Sequence, residues 1–336
     1  MATTTQAQPD VTPRRELETL EALNRKAREL AYGIDALDWE RPVDRTKFWS
    51  PPGISPLSHL PSFERLEERH KIRYNQLFAV GVCEQFVWFE QHLAVPVLRL
   101  LIDTSPQMPP LLRDALEIFI EEEHKHSEMF WRMCEKAEPS FYPERQFYLF
   151  NTTKLQDMAL GLMLKYPKAF LLWIWAVIFF EERTVDYCRQ YWKAKRKTPD
   201  LIDPSFTELH EYHFKDEGRH FQLDQHLLTW LYDPEPRWKK RMAAKMFYRL
   251  MKAYTSPRRT SLRVLDVMER EFPELKAELS PALRAELPQL ARSRSFHEMA
   301  FSRHAVGRSL ELFREYPELD AIWDLFVVEN KEGSVA

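Results

Sequence analysis

An all-α fold is predicted for this chain, and three observations carry the prediction. Its 336 residues include only 7 glycines, against the roughly 7% of an average protein, which leaves little material for hairpin turns. The 23 prolines gather between segments whose apolar residues recur at helical spacing, where they punctuate helices. Four central segments are each long enough to build a bundle core.

The elements follow in order. Residues 1–13 are polar and lack the apolar stretch of a secretory signal, so they are predicted to form a disordered tail. Residues 14–63 hold a charged amphipathic helix over 15–40 (Leu17, Leu20, Leu23, Leu30) and then a Pro-rich connection with Pro51-Pro52-Gly53 and Pro56. With no Gly/Ser-rich linker beyond that point, 64–330 is expected to be a single domain. Helices are predicted at 65–103, 109–137, 153–164, 167–195 and 205–233, then at 236–254, 258–272, 280–293 and 296–315. Pro96 falls inside the first long helix and should kink it or end it early.

Composition excludes some functions. The net charge is −3 and no long basic block is present, so nucleic acid is not an implied partner. Cys83, Cys134 and Cys188 cannot all pair and each sits in an apolar helical pattern, which suits reduced core residues and a cytoplasmic location. The strongest apolar run, Ala169 to Phe180, has 12 residues, short of the roughly 20 that a membrane span needs.

The run His213-Phe214-Lys215-Asp216-Glu217-Gly218-Arg219-His220 is the most informative stretch. His213, Glu217 and His220 stand at i, i+4 and i+7 and so project from one helix face, which Phe206 and Leu209 continue as apolar surface. A buried carboxylate between imidazoles is costly to desolvate, and a transition-metal ion is the usual compensation.

Helix phase locates further ligands. In Ile120-Glu121-Glu122-Glu123-His124-Lys125-His126, Glu123 and His126 share a face with Leu116, Phe119, Phe130 and Cys134. Glu121 and His124 instead share theirs with Glu117, Lys125 and Glu128, a solvated face. Glu181 lies in line with Val177, Ile178, Val185 and Cys188, whereas Glu182 drifts toward Asp186, Arg189 and Lys193; Glu181 is preferred, with Glu182 as the alternative. Glu90 is preferred to Glu84 only slightly, because nearly every neighbour there is apolar.

The inventory is one Glu from each of two helices, a Glu-x-x-His from a third, and His-x-x-x-Glu-x-x-His from a fourth. This matches a ferritin-like carboxylate site for two metal ions, with one histidine added. Four carboxylates neutralise two divalent ions, and mixed O and N ligands without thiolate favour iron or manganese over structural zinc. Glu122 and Asp216, each preceding a ligand glutamate, suit carboxylates that orient ligating imidazoles, and Arg219 could hold Asp216 or another acid in place.

Asp216-Glu217-Gly218-Arg219-His220 resembles the Asp-Glu-x-Arg-His motif of oxygen-activating di-iron proteins. The additional His213, four residues before Glu217, narrows the likeness to the p-aminobenzoate N-oxygenase family, which oxidises arylamines to nitroarenes. The likeness continues through Ile202-Asp203-Pro204, through Glu90-Gln91 with Pro96, and through Glu122-Glu123 with His126. It implies a ferritin-like four-helix core with additional N- and C-terminal helices, and Glu90, Glu123, His126, Glu181, His213, Glu217 and His220 as metal ligands. It also implies two iron ions with manganese as an alternative, O2 as co-substrate, and a homodimer. The segment between Glu181 and Pro204 is a few residues longer here, so family spacing leaves Glu181 against Glu182 open.

The function expected from this resemblance is a di-iron oxygenase that takes an arylamine to the hydroxylamine and nitro levels. Its alternatives are a hydroxylase or desaturase acting on carbon, and a non-enzymatic metal-binding helical protein. No flavin or nicotinamide fingerprint is present, which implies an external electron donor or reductase. Phe86, Trp88, Phe89, Phe130, Trp131, Phe179 and Phe180 lie near the candidate ligands and could line a pocket for a small aromatic or apolar substrate.

Overall fold

The computed structural model describes residues 18–327, so the tail expected at 1–13 and the last residues of the domain expected over 64–330 lie outside the described residues. Among the described residues no strand occurs, and one isolated bridge ties Phe48 to Ile202.

The first helix, α1 (Leu20–Glu29), is shorter than the 15–40 expected. The Thr19 side chain caps it by accepting the Ala22 N–H. The chain then leaves the helix because Tyr32 turns inward, its hydroxyl donating to the Tyr212 carbonyl at 2.8 Å. Helix α2 (Glu68–Phe89) opens into a π-helical turn (Glu90–Ala94) and runs on as α3 (Val95–Asp103). Pro96 therefore neither ends nor sharply breaks the segment. Its ring would clash with a carbonyl four residues back in a regular helix, and the wide turn just before it, closed by Val95 N–H to Glu90 O, absorbs one extra residue.

The next helix, α4 (Pro110–Ala137), starts on prolines that need no N–H partner there. A Thr153/Gln156 capping box opens α5 (Lys154–Lys165). The helix expected from 167 begins only at α6 (Leu172–Lys197), because the chain turns first and Trp173 Nε1 donates to the Pro167 carbonyl at 3.0 Å. Asp203 caps α7 (Pro204–Leu227) by accepting the Ser205 and Phe206 N–H groups, and a second π-helical turn (Leu228–Tyr232) follows it. The remainder is α8 (Arg237–Tyr254), α9 (Arg258–Glu271), α10 (Leu279–Glu286), α11 (Arg294–Phe301) and α12 (Arg303–Glu315). The single helix expected over 296–315 is two, broken at Ser302, whose backbone is extended.

The core bundle is α2, α4, α6 and α7, with α6 against α7, α2 against α4 and α4 against α7 as its main seams. Contacts pair 181 with 220 and 188 with 213 across α6 and α7, so those two run antiparallel. Pairing of 122 with 220 and of 130 with 213 sets α4 antiparallel to α7 in the same way. Around this core, α1 lies on α4 and α7, α8 and α12 lie on α6, and α9 lies on α2. Phe119, Phe130, Trp175, Phe179 and Phe206 are fully buried between these layers, and that apolar filling surrounds the polar centre described next.

Candidate metal centre

Glu90, Glu123, His126, Glu181, His213, Glu217 and His220 come from α2's end, α4, α6 and α7 and meet in the middle of the bundle, each no more than 3% exposed. Glu217 Oε1 is the hub. It stands 2.7 Å from His213 Nε2, 3.5 Å from His126 Nδ1 and 3.7 Å from His220 Nδ1. Glu123 Oε1 lies 3.0 Å from His220 Nδ1 and 3.6 Å from His126 Nδ1. Glu181 Oε2 approaches His220 Nδ1 at 3.7 Å, and Glu90 Oε1 approaches His213 Nε2 at 3.7 Å. Six of the seven fall into two overlapping sets, Glu123, His126, Glu217 and His220 in one and Glu90, His126 and His213 in the other, each with its atoms within 4.8 Å of one another, and Glu181 adjoins the first through His220.

The donor atoms themselves show what this arrangement is suited to hold. Glu123 Oε1, Glu181 Oε2, His126 Nδ1 and His220 Nδ1 are buried and have no hydrogen-bond partner among the described residues, and all four point into the same space. Orphaned polar atoms normally cost free energy, so four that converge fit a cation rather than packing. Four carboxylates supply the charge that two divalent ions require, and imidazole and carboxylate are the donors that iron and manganese accept.

Electrostatics agree. Burial, and then the neighbouring Glu123 carboxylate, push Glu90 well above the ordinary carboxylate range. Burial and the Glu217 carboxylate do the same to Glu181. Burial works to lower His126, but Asp216 and Glu123 outweigh it and hold the ring up to about 9. In His213, burial and then the adjacent His126 outweigh the neighbouring carboxylates and depress the ring well below the usual imidazole value. Without a cation, then, the centre retains protons that an ion would displace.

A supporting layer fixes two of the imidazoles. Asp216 Oδ2 accepts from His126 Nε2 at 2.9 Å, and Glu122 Oε2 accepts from His220 Nε2 at 2.8 Å. The buried Arg219 guanidinium donates to both acids, at 2.6 Å to Glu122, and to the Lys215 carbonyl. A carboxylate behind each ring turns the other nitrogen, Nδ1, toward the centre and raises its basicity. Lys125 differs from the solvated position expected of it. Its ammonium reaches in to Asp216 at 2.7 Å, while Glu121 and His124 of the same expected face are exposed.

The two alternatives left open by helix phase have other partners. Glu84 accepts from the Tyr142 hydroxyl and from the backbone N–H groups of Tyr148, Leu149 and Phe150, so it organises the connection after α4. Glu182, expected on an outward-drifting face, is buried because α12 covers it. Its oxygens accept the Arg308 and Ser309 N–H groups at 2.9 and 2.6 Å.

Several contacts escaped sequence reasoning. The Ser127 hydroxyl donates to Glu90 Oε2 at 2.7 Å, and Phe119 stacks on His220 with ring centroids 3.9 Å apart. His210 and Cys188 lie beside His213. Spacing could have found His210, which stands one helical turn before His213 and Phe214. Of the aromatic residues expected around a pocket, Phe86 and Phe130 contact the His213 ring, at 5.2 and 4.9 Å. Trp131 instead stacks on Phe147 and Trp88 tilts against Phe150, which makes both of them packing residues. A water-sized cavity of about 20 Å³ lies behind His220, against Asn24, Glu122 and Arg219.

The family model for the P-aminobenzoate N-oxygenase AurF matches residues 13–294. The chain belongs to that family. Membership of the P-aminobenzoate N-oxygenase AurF family, together with the buried carboxylate and imidazole cluster, makes it a dimetal oxidoreductase. No curated protein matches it. Among solved structures it is similar to an R2-like ligand-binding oxidase with an aerobically reconstituted Mn/Fe cofactor, at 18% identity over 87% of this chain and 90% of that one, TM-score 0.45. A mutant R2-like ligand-binding oxidase with an anaerobically reconstituted Mn/Fe cofactor is similar at 16% identity over 82% and 93%, TM-score 0.44. Among the described residues no helix is long and apolar enough to cross a membrane.

Proposed function

We propose that this chain is a di-iron N-oxygenase that oxidises an arylamine through the hydroxylamine toward the nitro compound. The observation that carries the reading is the third imidazole. His213 Nε2 sits 2.7 Å from the hub carboxylate of Glu217, which adds a neutral donor to the four-carboxylate, two-histidine set of a ferritin-like centre. The ligands would be Glu90, Glu123, His126, Glu181, His213, Glu217 and His220. Two iron ions, or manganese in their place, would supply the activation of O2 when bound.

The protein's own part is to hold those donors and keep water out. Asp216 and Glu122 orient His126 and His220, Ser127 orients Glu90, and Phe119, Phe86 and Phe130 wall the imidazoles with apolar surface. Each oxygen insertion consumes O2 and releases water, with two electrons and two protons from a donor outside this chain. Residues 64–330 would act as one domain in this, in the cytoplasm and as a homodimer.

The test is reconstitution with Fe(II), reduction, exposure to O2 and mass spectrometry over a panel of arylamines. Hydroxylamine and nitro products are expected. Oxidation of an aliphatic carbon substrate alone would replace this reading by a hydroxylase or desaturase, and absence of any product from a fully iron-loaded protein would replace it by a metal-binding role.

A further inference from the structure

The three imidazoles of the centre are not supported alike. His126 and His220 turn Nδ1 inward and give Nε2 to the carboxylates of Asp216 and Glu122. His213 has the opposite sense. Its Nε2 faces Glu217 and Glu90, and its Nδ1 faces the sulfur of Cys188 at 3.8 Å. The same sulfur meets a second imidazole, with His210 Nδ1 3.9 Å from Cys188 Sγ, and the donor atoms of Cys188, His210 and His213 lie within 4.8 Å of one another. Cys188, His210 and His213 are all buried, and His210 Nε2 has no hydrogen-bond partner among the described residues.

We infer that Cys188 is the positioning residue of His213, through a neutral relay of three groups. The inference rests on the reading of His213 as a ligand. If Nε2 coordinates, the ring's one proton must reside on Nδ1, which then donates to Cys188 Sγ. The thiol has a single hydrogen, and the other imidazole nitrogen within its reach, His210 Nδ1, is the acceptor. An imidazole that accepts at Nδ1 carries its own proton at Nε2, so the tautomer of His210 is set by the coordination of His213 two links away.

The chemistry of the relay has a consequence for the centre. A thiol sulfur is a weak acceptor beside a carboxylate, so it withdraws little proton density from His213 and raises its basicity less than Asp216 and Glu122 raise that of their rings. His213 is thereby the most weakly held imidazole of the three. The difference arises from the element behind each ring. Helix α7 backs His126 and α4 backs His220 with acids, whereas α6 backs His213 with Cys188.

The full-length protein loaded with zinc, which is diamagnetic, tests this by ¹⁵N NMR of the histidine rings and by zinc titration. Wild type should take up two ions and show Nδ1–H at His213 and Nε2–H at His210. Cys188→Ala should keep the fold and both ions, shift the Nδ1 resonances of both rings and weaken one zinc by about three- to tenfold, less than the roughly 10–100-fold expected when a carboxylate partner is lost, as in Asp216→Asn. Cys188→Ser, which keeps a donor and an acceptor on a shorter reach, should restore part of both effects. Unchanged His210 and His213 resonances in Cys188→Ala, with two ions still bound, would overturn the relay and leave the function reading intact. Uptake of fewer than two ions by wild type would overturn both.

Discussion

Glu181 and Glu182 are adjacent in sequence and differ in every structural respect that bears on function. Glu181 leaves an oxygen unpartnered toward the centre, whereas Glu182 spends both on the backbone of α12. Glu181→Ala should therefore lower the metal stoichiometry below two per chain, measured by elemental analysis, with little loss of stability. Glu182→Ala should do the reverse, leaving two ions and costing about 1–3 kcal/mol in urea unfolding, because the buried Ser309 N–H and the part-buried Arg308 N–H lose their acceptor. A result with the roles exchanged would move the ligand to Glu182. Behind the rings, Glu122→Gln should weaken metal binding by about 10–100-fold in a competitive chelator titration while the helical content stays unchanged, since it removes the acceptor that orients His220. Arg219, which joins Glu122 and Asp216, ties these two supports into one unit, so their double variant should lose less than the sum of the two singles.

At the scale of elements, the wide turn at Glu90–Ala94 matters most. A π-helical turn is a one-residue insertion in an α-helix, and such turns recur at functional sites. Here the insertion absorbs Pro96 and begins at the residue that carries a candidate ligand. Deleting His92, which is exposed within the turn, should regularise the segment and rotate Glu90 by about 100° relative to α3. The expected result is loss of an ion proposed to bind between Glu90, His126 and His213 while the other ion remains, seen as one metal per chain with unchanged far-ultraviolet circular dichroism. Retention of two ions would mean that Glu90 keeps its place whatever the turn does. Helical periodicity separated Glu90 from Glu84 only weakly for a different reason, that nearly every neighbour of either residue is apolar.

For the whole molecule, the buried charges make stability depend on pH and on metal together. In the metal-free protein His126 is raised to about 9, and Glu90 and Glu181 are raised above the usual carboxylate range. The folded state therefore binds more protons than the unfolded state over that interval, and stability must fall as pH rises. The His126 contribution is complete below the unfolded imidazole value of about 6.5 and lost as pH passes about 9. The melting temperature of the metal-free protein should accordingly drop between those two values, whereas that of the metal-loaded protein should hold, because the cations take the place of the protons. A metal-free melting temperature that rises over the same interval would contradict this assignment of charge.

The helical class, the order of the long helices and the buried faces of α4 and α7 were legible in the sequence alone. Few glycines, punctuating prolines and apolar residues at helical spacing depend only on local geometry. That is why Glu123 and His126 could be separated from the exposed Glu121 and His124, and why Asp203 and Pro204 mark where α7 begins. What each buried acid faces follows from packing between helices instead. Glu84 turns to the Tyr148–Phe150 backbone, Glu182 to Arg308 and Ser309 within α12, and Cys188 to a histidine on another helix, all through contacts between residues far apart in the chain. Periodicity reports whether a side chain is inside. It carries no record of which neighbour it meets there, since that depends on the packing of helices whose relative placement no single segment encodes.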